Sequence, residues 1–571
     1  MSREMGKIRP SQLIYHYGPG AIVDLVDESV MMMAADLWNT FNAPKETDIR
    51  IRQALDIDHI RLLNENPDGV KVRATSFPKW KICPKCNMMT DYQDSKHCYH
   101  CRKKGEEVEL YPSRFIVACE KGHIQDFPYV GWVHQKKECT NSKPQLKLIR
   151  NGESGSLSDL SVQCVKCKEK QSLGTIMKKG VLNSVFPVCS GERPWIGDRE
   201  DCTEIMDTYL RGASNIYSPS VTSFLQIPLS EENKDPLVEK ILTRKEDIES
   251  AKEDGEEGLH YYYKKILKLD PSDFEKIERI LNGEFTAEVT YESLRKQEWN
   301  TLVQKENDNT HNTGYKSSPV EIHAYMQPYF SAIHRVDSLP EIQVLQGFSR
   351  IEYLDRFELN QRKQLIPIMK DSKTNWLPGV RNNGEGIFFQ FNKSTLSKWE
   401  GNTTLAAITS DTISRYNKQR ERLMYQPLSI KSRHLLLHTF SHALIKELAA
   451  HSGYSTTALQ ERIYCSDDMH GVLIYTASGD SEGSLGGLIE QAHPDKLYPI
   501  FIRAIERMMY CSSDPHCSEG TFKFHSTANG AACHTCSFVS ETSCEWGNQL
   551  LDRRLLLNIN PGETTGFFDL G

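Results

Sequence analysis

The 571-residue sequence lacks several features that would assign it to a large functional class at once. Asp24 and Asp27 interrupt its first apolar segment, and no apolar run approaches the ~18 residues of a membrane-spanning helix. No secretory signal is visible at the N-terminus. The phosphate-loop pattern GxxxxGK followed by Ser or Thr does not occur, so no nucleotide-driven motor is visible. We therefore expect a cytoplasmic protein without a membrane span or a motor of its own.

Strong positive charge is also missing, because the formal net charge is −7. Any nucleic-acid surface on this protein must therefore be a local patch. The chain is 39% hydrophobic and 25% charged, which is an ordinary globular composition and not that of a disordered chain. Its length is sufficient for roughly three or four domains.

Cysteine is the residue that the sequence does have in quantity, with 16 copies. Several stand as CxxC pairs, and such pairs in a chain without a secretory signal indicate metal sites in a reducing compartment. We predict an α+β multidomain fold with zinc-ribbon modules in the N-terminal half, a helical arm in the middle and a mixed α/β zinc-binding domain at the C-terminus. The predicted segments are 1–75 (N-terminal), 76–215 (zinc-ribbon region), 216–300 (charged helical arm), 301–430 (mixed connecting domain) and 431–571 (C-terminal zinc domain).

The first metal module combines two CxxC pairs. Cys83 and Cys86 form one pair, and Cys98 and Cys101 form the second after eleven intervening residues. Two such turns can present four thiolates to one ion, as in a zinc ribbon or a rubredoxin-type site. The spacing predicts one structural zinc site.

Basic and aromatic residues surround this module. Basic side chains attract phosphates and aromatic rings stack on bases, so the surroundings are a candidate nucleic-acid surface. The candidate contacts are Lys79, Lys81, Lys85, Arg102, Lys103 and Lys104. The same lysines could instead offset the negative charge of a thiolate-bound zinc ion, and both interpretations stay open.

A second zinc site is predicted from one CxxC pair and two later cysteines, namely Cys164, Cys167, Cys189 and Cys202. Another set of residues, which lies in the sequence between the first module and Cys164, has the chemistry of a Cys2His2 site. Its members are Cys119, His123, His134 and Cys139. Their spacing is not that of a standard finger, so the alternative is that they are satisfied core residues.

The C-terminal cysteine cluster is the densest. Cys533 and Cys536 form a CxxC pair, Cys544 follows, and Cys511 and Cys517 precede it. A closed four-thiolate zinc site is structural, so the cluster indicates a scaffold before it indicates an enzyme. The cluster has five cysteines, whereas a tetrahedral zinc site takes four ligands, so one cysteine is left out. In all, we expect about three structural Zn²⁺ sites in the chain.

His438 and His442 stand four residues apart on a predicted apolar helix, so both point to one face. This spacing can bind zinc, but the metalloprotease pattern requires a glutamate directly after the first histidine, where this chain has Thr439. We therefore predict core or interface histidines.

Several segments carry a resemblance to a known family. Residues 475–477, 483–487, 514–517, 529–536, 541–544 and 551–554 together resemble the four-cysteine zinc domain at the C-termini of certain superfamily 2 DNA helicases and in their stand-alone partners. Residues 9–12, 18–24, 119–123 and 127–134 resemble the DrmB family, the helicase-partner subunits of DISARM anti-phage defence systems.

The resemblance implies zinc ligands at Cys517, Cys533, Cys536 and Cys544, with Cys511 as a competitor for the upstream position. It also implies a non-catalytic subunit that pairs with a DrmA-like helicase, contacts DNA and has no small-molecule substrate. Two alternatives remain. A metal-dependent nuclease or other zinc-dependent DNA-processing enzyme would need an open coordination position or a carboxylate cluster, and the HxKxxxxD pattern is absent. A transcription-type zinc-ribbon protein would bind duplex DNA by sequence without a motor partner.

Overall fold

The computed structural model describes residues 4–26, 28–92, 96–136, 139, 143–152, 154–228, 240–241, 244–253, 255–270, 274, 277, 281, 290–305, 307–309, 313–351, 364–371, 373–476, 486–520, 528–559, 562 and 564–570. The chain divides into two compact units. Unit 1 comprises Met1–Thr222, Gln343–Leu354 and Leu359–Val380. Unit 2 comprises Ser223–Ile342, Asp355–Glu358 and Arg381–Gly571.

Helices occur in both units, and the long ones belong to unit 2. In chain order the described helices are α1 (Pro10–Tyr15), α2 (Ile49–Leu55), α3 (Tyr99–Arg102), α4 (Tyr129–Val133), α5 (Lys245–Glu253), α6 (Gly255–Tyr261), α7 (Tyr291–Leu302), α8 (Lys393–Glu400), α9 (Thr403–Arg422), α10 (Ser432–Ser452) and α11 (Pro494–Glu506).

Strands occur in both units, and those that lie wholly in unit 1 are two to five residues long. The described strands are β1 (Ile22–Asp24), β2 (Ser29–Met32), β3 (Lys45–Glu46), β4 (His59–Leu62), β5 (Ala74–Ser76), β6 (Lys81–Ile82), β7 (Met89–Thr90), β8 (Tyr111–Pro112), β9 (Phe115–Ala118), β10 (Ile124–Asp126), β11 (Leu146–Arg150), β12 (Leu160–Cys164), β13 (Lys170–Ser172), β14 (Glu192–Arg193), β15 (Asp198–Arg199), β16 (Asp207–Leu210), β17 (Ser218–Leu225), β18 (Asn307–Asn309), β19 (Tyr315–Pro319), β20 (Phe330–Ser349), β21 (Trp376–Phe391), β22 (Leu459–Cys465) and β23 (His470–Thr476).

Unit 1 is built from small antiparallel sheets. The strand orders are β1-β2-β5, β7-β6-β8, β10-β9-β16, β11-β12-β13 and β14-β15. An apolar cluster that includes Phe115, Phe127, Tyr129 and Trp132 is buried among several of them. An isolated two-stranded sheet is only marginally stable in water, so these small sheets depend on packing against this core.

Unit 2 is organised around α10, which is buried on nearly all sides. Apolar side chains occur on all sides of it, with buried polar side chains among them, as in a helix inside a core. The helix packs against β22, β23 and α11. Gly453, at φ +81°, ends it in the left-handed conformation that glycine adopts without strain. The strands of this unit follow the order β18-β19-β20-β21-β23-β22.

The mixed fold of helices and sheets agrees with the predicted α+β class, and α5 and α6 lie in the predicted charged arm. Other parts of that arm, including 229–239, 271–273 and 282–289, lie outside the described residues, as do residues 483–485 of the glycine turn. Across the described ranges, no helix is long and apolar enough to cross a membrane.

Candidate metal centres

All 16 cysteines lie in the described part of the chain, and all are free thiols. Every cysteine except Cys465 belongs to a cluster in which the four donor atoms lie within 4.8 Å of one another. In three of these clusters, neighbouring sulfur atoms are 3.5–3.9 Å apart. A disulfide requires ~2.05 Å, whereas four thiolates held at ~2.3 Å around a tetrahedral zinc ion are ~3.7 Å apart. The distances therefore match zinc sites.

The first set, here called the ribbon cluster, contains Cys83, Cys86, Cys98 and Cys101. The structure brings together the same four residues that the spacing singles out. Cys83 follows β6, and Cys98 and Cys101 flank the first turn of α3. The Cys83 and Cys101 sulfurs are 3.7 Å apart, and those of Cys86 and Cys98 are 3.5 Å apart. Burial opposes ionisation of Cys83, but amide N–H groups of Cys86 and Lys85 lower the pKa of its thiol to about 7.

The second set, the hairpin cluster, contains Cys119, His123, Cys189 and Cys202. Cys119 and His123 lie in the turn between β9 and β10, and Cys119 Sγ is 3.4 Å from His123 Nδ1. The other ring nitrogen, Nε2, is 2.7 Å from a Glu200 carboxylate oxygen. Such an outer carboxylate fixes the ring orientation of a metal-binding histidine. The hydrogen bond from the neighbouring Cys189 lowers the pKa of the Cys119 thiol, and His123 lowers it further. Burial acts in the opposite direction, and the result is a pKa of about 4.

The third set, the α4 cluster, contains His134, Cys139, Cys164 and Cys167. His134 follows α4, and Cys164 ends β12. The Cys139 and Cys164 sulfurs are 3.9 Å apart, and Cys167 Sγ is 3.3 Å from His134 Nε2. His134 Nδ1 donates a hydrogen bond of 2.7 Å to the Val130 carbonyl, which leaves Nε2 as the donor atom towards the cluster.

These two sets differ from the grouping predicted by sequence spacing. The predicted site of Cys164, Cys167, Cys189 and Cys202 is divided between the two clusters. Cys164 and Cys167 lie with His134 and Cys139 in the α4 cluster. Cys189 and Cys202 lie with Cys119 and His123 in the hairpin cluster. Strand pairing is the physical reason on one side, because β16 pairs with β9 and brings the preceding cysteine segment to the β9–β10 turn. On the other side α4 packs against β12 and β13, where the Trp132 indole N–H donates to the Ser172 carbonyl.

The fourth set, the C-terminal cysteine cluster, contains Cys511, Cys517, Cys533 and Cys536. Sulfur separations are 3.5 Å for Cys511–Cys533 and 3.6 Å for Cys517–Cys536. Cys511 thus stands where the resemblance implies Cys544. The structure instead brings Cys544 together with His438, His442 and Glu461. The sequence prediction missed Glu461 altogether, because a single glutamate on a strand carries no spacing signal.

The predicted nucleic-acid residues fall into two groups. Lys81 is buried and its ammonium is 2.8 Å from the Glu28 carboxylate, so it offers no free surface charge. Lys85 is exposed and pairs with Glu106 at 2.6 Å. Four exposed side chains remain around the ribbon cluster, namely Lys79, Arg102, Lys103 and Lys104. The Lys103 ammonium lies 4.6 Å from the centre of the exposed Tyr99 ring.

The clusters of four donor atoms are consistent with structural zinc sites, and they define the chain as a protein of the zinc-binding class. Residues 440–537 match the MrfA Zn-binding domain family, and residues 9–218 match a domain of unknown function, DUF8724. The chain is 33% identical over 570 residues to the DISARM protein DrmB of Bacillus paralicheniformis, a match that covers 96% of this chain and 99% of that protein. The chain therefore belongs to the DrmB family of DISARM proteins, which confirms the family predicted from the sequence.

Proposed function

We propose that this protein is a non-catalytic subunit of an anti-phage DISARM complex, in which it pairs with a DrmA-like superfamily 2 DNA helicase and helps to bind and recognise invading DNA. The observation that carries the proposal is the 33% identity to DISARM protein DrmB over nearly the whole chain. The sequence itself has no phosphate loop, so a motor function would have to come from a partner.

The donor sets support a scaffold role. Each of the four clusters described above supplies four protein donors, the number that a structural zinc ion takes, whereas a catalytic zinc ion keeps a position for water or substrate. We propose one Zn²⁺ in each of the ribbon, hairpin, α4 and C-terminal cysteine clusters. In this assignment Cys511, and not Cys544, is the fourth ligand of the C-terminal cysteine cluster.

The surface around the ribbon cluster is our candidate for DNA contact. Arg102, Lys103 and Lys104 follow one another at the end of α3, and all three are exposed. Tyr99 is 63% exposed on the same short helix, so a ring is available for stacking next to the three charges. A compact basic and aromatic patch is the form that a nucleic-acid surface takes on a protein of net negative charge.

Co-purification with a DrmA-like helicase tests the pairing. We expect a stable complex whose DNA-stimulated ATPase activity exceeds that of the helicase alone. An unchanged ATPase activity together with no complex in size-exclusion chromatography would contradict the proposed pairing. Nuclease activity of the isolated chain, abolished by single acidic substitutions that leave it folded, would contradict the non-catalytic role and favour the enzyme alternative.

The DNA surface is tested by a triple substitution, R102A/K103A/K104A. If these side chains contact phosphates, DNA affinity falls and the slope of log affinity against log salt decreases by about 0.9 for each lost contact on duplex DNA. A matched control removes three other exposed lysines of unit 1 beside a different cluster, K166A/K168A/K170A. Equal losses in both triple variants would mean that charge alone, and not this surface, attracts DNA.

A further inference from the structure

Four donor side chains from three parts of unit 2 meet in its core. His438 and His442 extend from α10, Glu461 lies on β22, and Cys544 comes from the segment after the C-terminal cysteine cluster. Both histidines and Glu461 have side-chain exposures of 0%, and Cys544 is 2% exposed. His438 and Cys544 lie outside the residues that match the MrfA Zn-binding domain.

The separations of the donor atoms are close to those of a metal site. His438 Nε2 is 3.1 Å from Cys544 Sγ and 3.2 Å from Glu461 Oε1. His442 Nε2 is 3.5 Å from the same carboxylate oxygen. Nitrogen and oxygen donors at ~2.0–2.1 Å and a sulfur at ~2.3 Å around a tetrahedral ion are ~3.3–3.6 Å apart. All four donor atoms lie within 4.8 Å of one another, as in the four cysteine-rich clusters.

The tautomer of His442 is decided by its outer hydrogen bond. Its Nδ1 is 2.8 Å from the Ser537 carbonyl oxygen, and a carbonyl only accepts, so Nδ1 carries the proton. A neutral ring then has a lone pair on Nε2, which faces the centre of the cluster without a hydrogen-bond partner. The nearest charged atom is an oxygen of Glu461, which is also an acceptor. Two buried acceptors that face each other are costly without a partner, and a metal ion between them would satisfy both.

Glu461 and Cys544 are also held by outer hydrogen bonds. The other oxygen of Glu461 accepts a hydrogen bond from the Ser441 hydroxyl, and Oε1 accepts one of 3.0 Å from the backbone N–H of Glu545. The Cys544 sulfur accepts a hydrogen bond of 3.1 Å from the N–H of Asn548. Outer hydrogen bonds of this kind orient the ligands of natural metal sites. They leave one donor atom of each side chain directed at a common point.

We propose that His438, His442, Glu461 and Cys544 form a fifth metal site, which binds one Zn²⁺. Two imidazoles, one carboxylate and one thiolate suit zinc, and four buried protein donors leave no position for a substrate, so the site is structural. The site is next to the C-terminal cysteine cluster, because the Ser537 carbonyl that accepts from His442 directly follows Cys536. The ion therefore joins α10 and β22 to the zinc-binding segment. In this proposal His438 and His442, which were predicted as core or interface histidines, are metal ligands.

The test begins with the full-length wild-type protein. Elemental analysis of the purified chain should give five zinc equivalents, and anomalous diffraction at the zinc edge should give a peak between His438, His442, Glu461 and Cys544. Four equivalents with no peak at this position would overturn the proposal. Neither measurement depends on a variant that could fail to fold.

Variants then isolate the site. Cys544→Ser should lose one equivalent and keep the other four, whereas the matched control Cys465→Ser, at the one cysteine outside every cluster, should keep all five. Glu461→Gln removes the charge with little change in volume and should also lose one equivalent. A Cys544→Ser protein with the same zinc content as Cys465→Ser would refute the assignment.

Discussion

The pairing of ligands between the hairpin and α4 clusters can be tested by counting zinc in a double variant. Cys167 belongs to the α4 cluster and Cys202 to the hairpin cluster, although sequence spacing puts both in one site. Both thiols are only partly buried, so serine at either position changes little else. If the structure groups the ligands correctly, Cys167→Ser and Cys202→Ser each lose one zinc equivalent and the double variant loses two.

The size of the effect follows from the number of donors that remain. Each substitution leaves three donors, and a structural zinc ion with a missing thiolate exchanges readily with a competing chelator. Structural zinc contributes on the order of 10–16 kcal/mol of binding free energy in small zinc domains, so the lost ion also destabilises unit 1. We expect the thermal transition of unit 1 to fall further in the double variant than in either single variant.

The assay is zinc quantification after dialysis against a chelator of moderate affinity, with Cys465→Ser as the control. Independent sites give additive losses, whereas two ligands of one site do not. A double variant that loses one equivalent, the same as each single variant, would refute the pairing and restore the grouping predicted from the sequence spacing.

Three further predictions concern stability. Arg462→Met should destabilise unit 2 by about 3–5 kcal/mol in urea denaturation, because it breaks buried ion pairs with Glu298 at 2.6 Å and Glu341 at 3.2 Å. The control Lys496→Met breaks an exposed ion pair and should cost about 0–1 kcal/mol. Equal costs in the two variants would contradict the importance of the buried ion pairs. Burial lowers the pKa of His59 to about 4, so the folded state binds fewer protons than the unfolded state, and stability should fall as the pH drops from about 6.5 to about 4. His59→Gln should reduce that loss, and an unchanged pH profile of the melting temperature would argue against it. Prolonged treatment with a strong chelator should remove zinc and unfold unit 1 before unit 2, as followed by limited proteolysis, because its sheets are smaller; simultaneous loss would contradict this order.

The small sheets of unit 1 give a physical reason for the zinc sites that we propose there. The β6–β7 and β14–β15 pairings each join strands of two residues, which bury little surface and form few hydrogen bonds. A metal ion that binds the turns next to such strands supplies binding energy that a small core does not. Cys83 and Cys86 of the ribbon cluster lie between β6 and β7, and Cys189 and Cys202 of the hairpin cluster lie on either side of the β14–β15 pair.

The amino-acid sequence by itself determined the local half of three of the candidate metal sites. A CxxC turn places two thiolates at one ion whatever the rest of the chain does, so Cys83 with Cys86, Cys164 with Cys167 and Cys533 with Cys536 could be read directly. Composition and residue pattern were also sufficient for the mixed fold class, the zinc chemistry and the family, because these depend on residue types and short motifs.

Only the tertiary structure decided which distant donors complete each site. Cys119 reaches Cys189 and Cys202 because β16 pairs with β9, and no spacing rule encodes a strand pairing across that interval. Cys544 joins His438 and His442 instead of Cys533 because the buried helix α10 presents both imidazoles to the segment that carries it. Spacing along the chain limits where a ligand can go, but the packing of helices and strands determines which ligands meet.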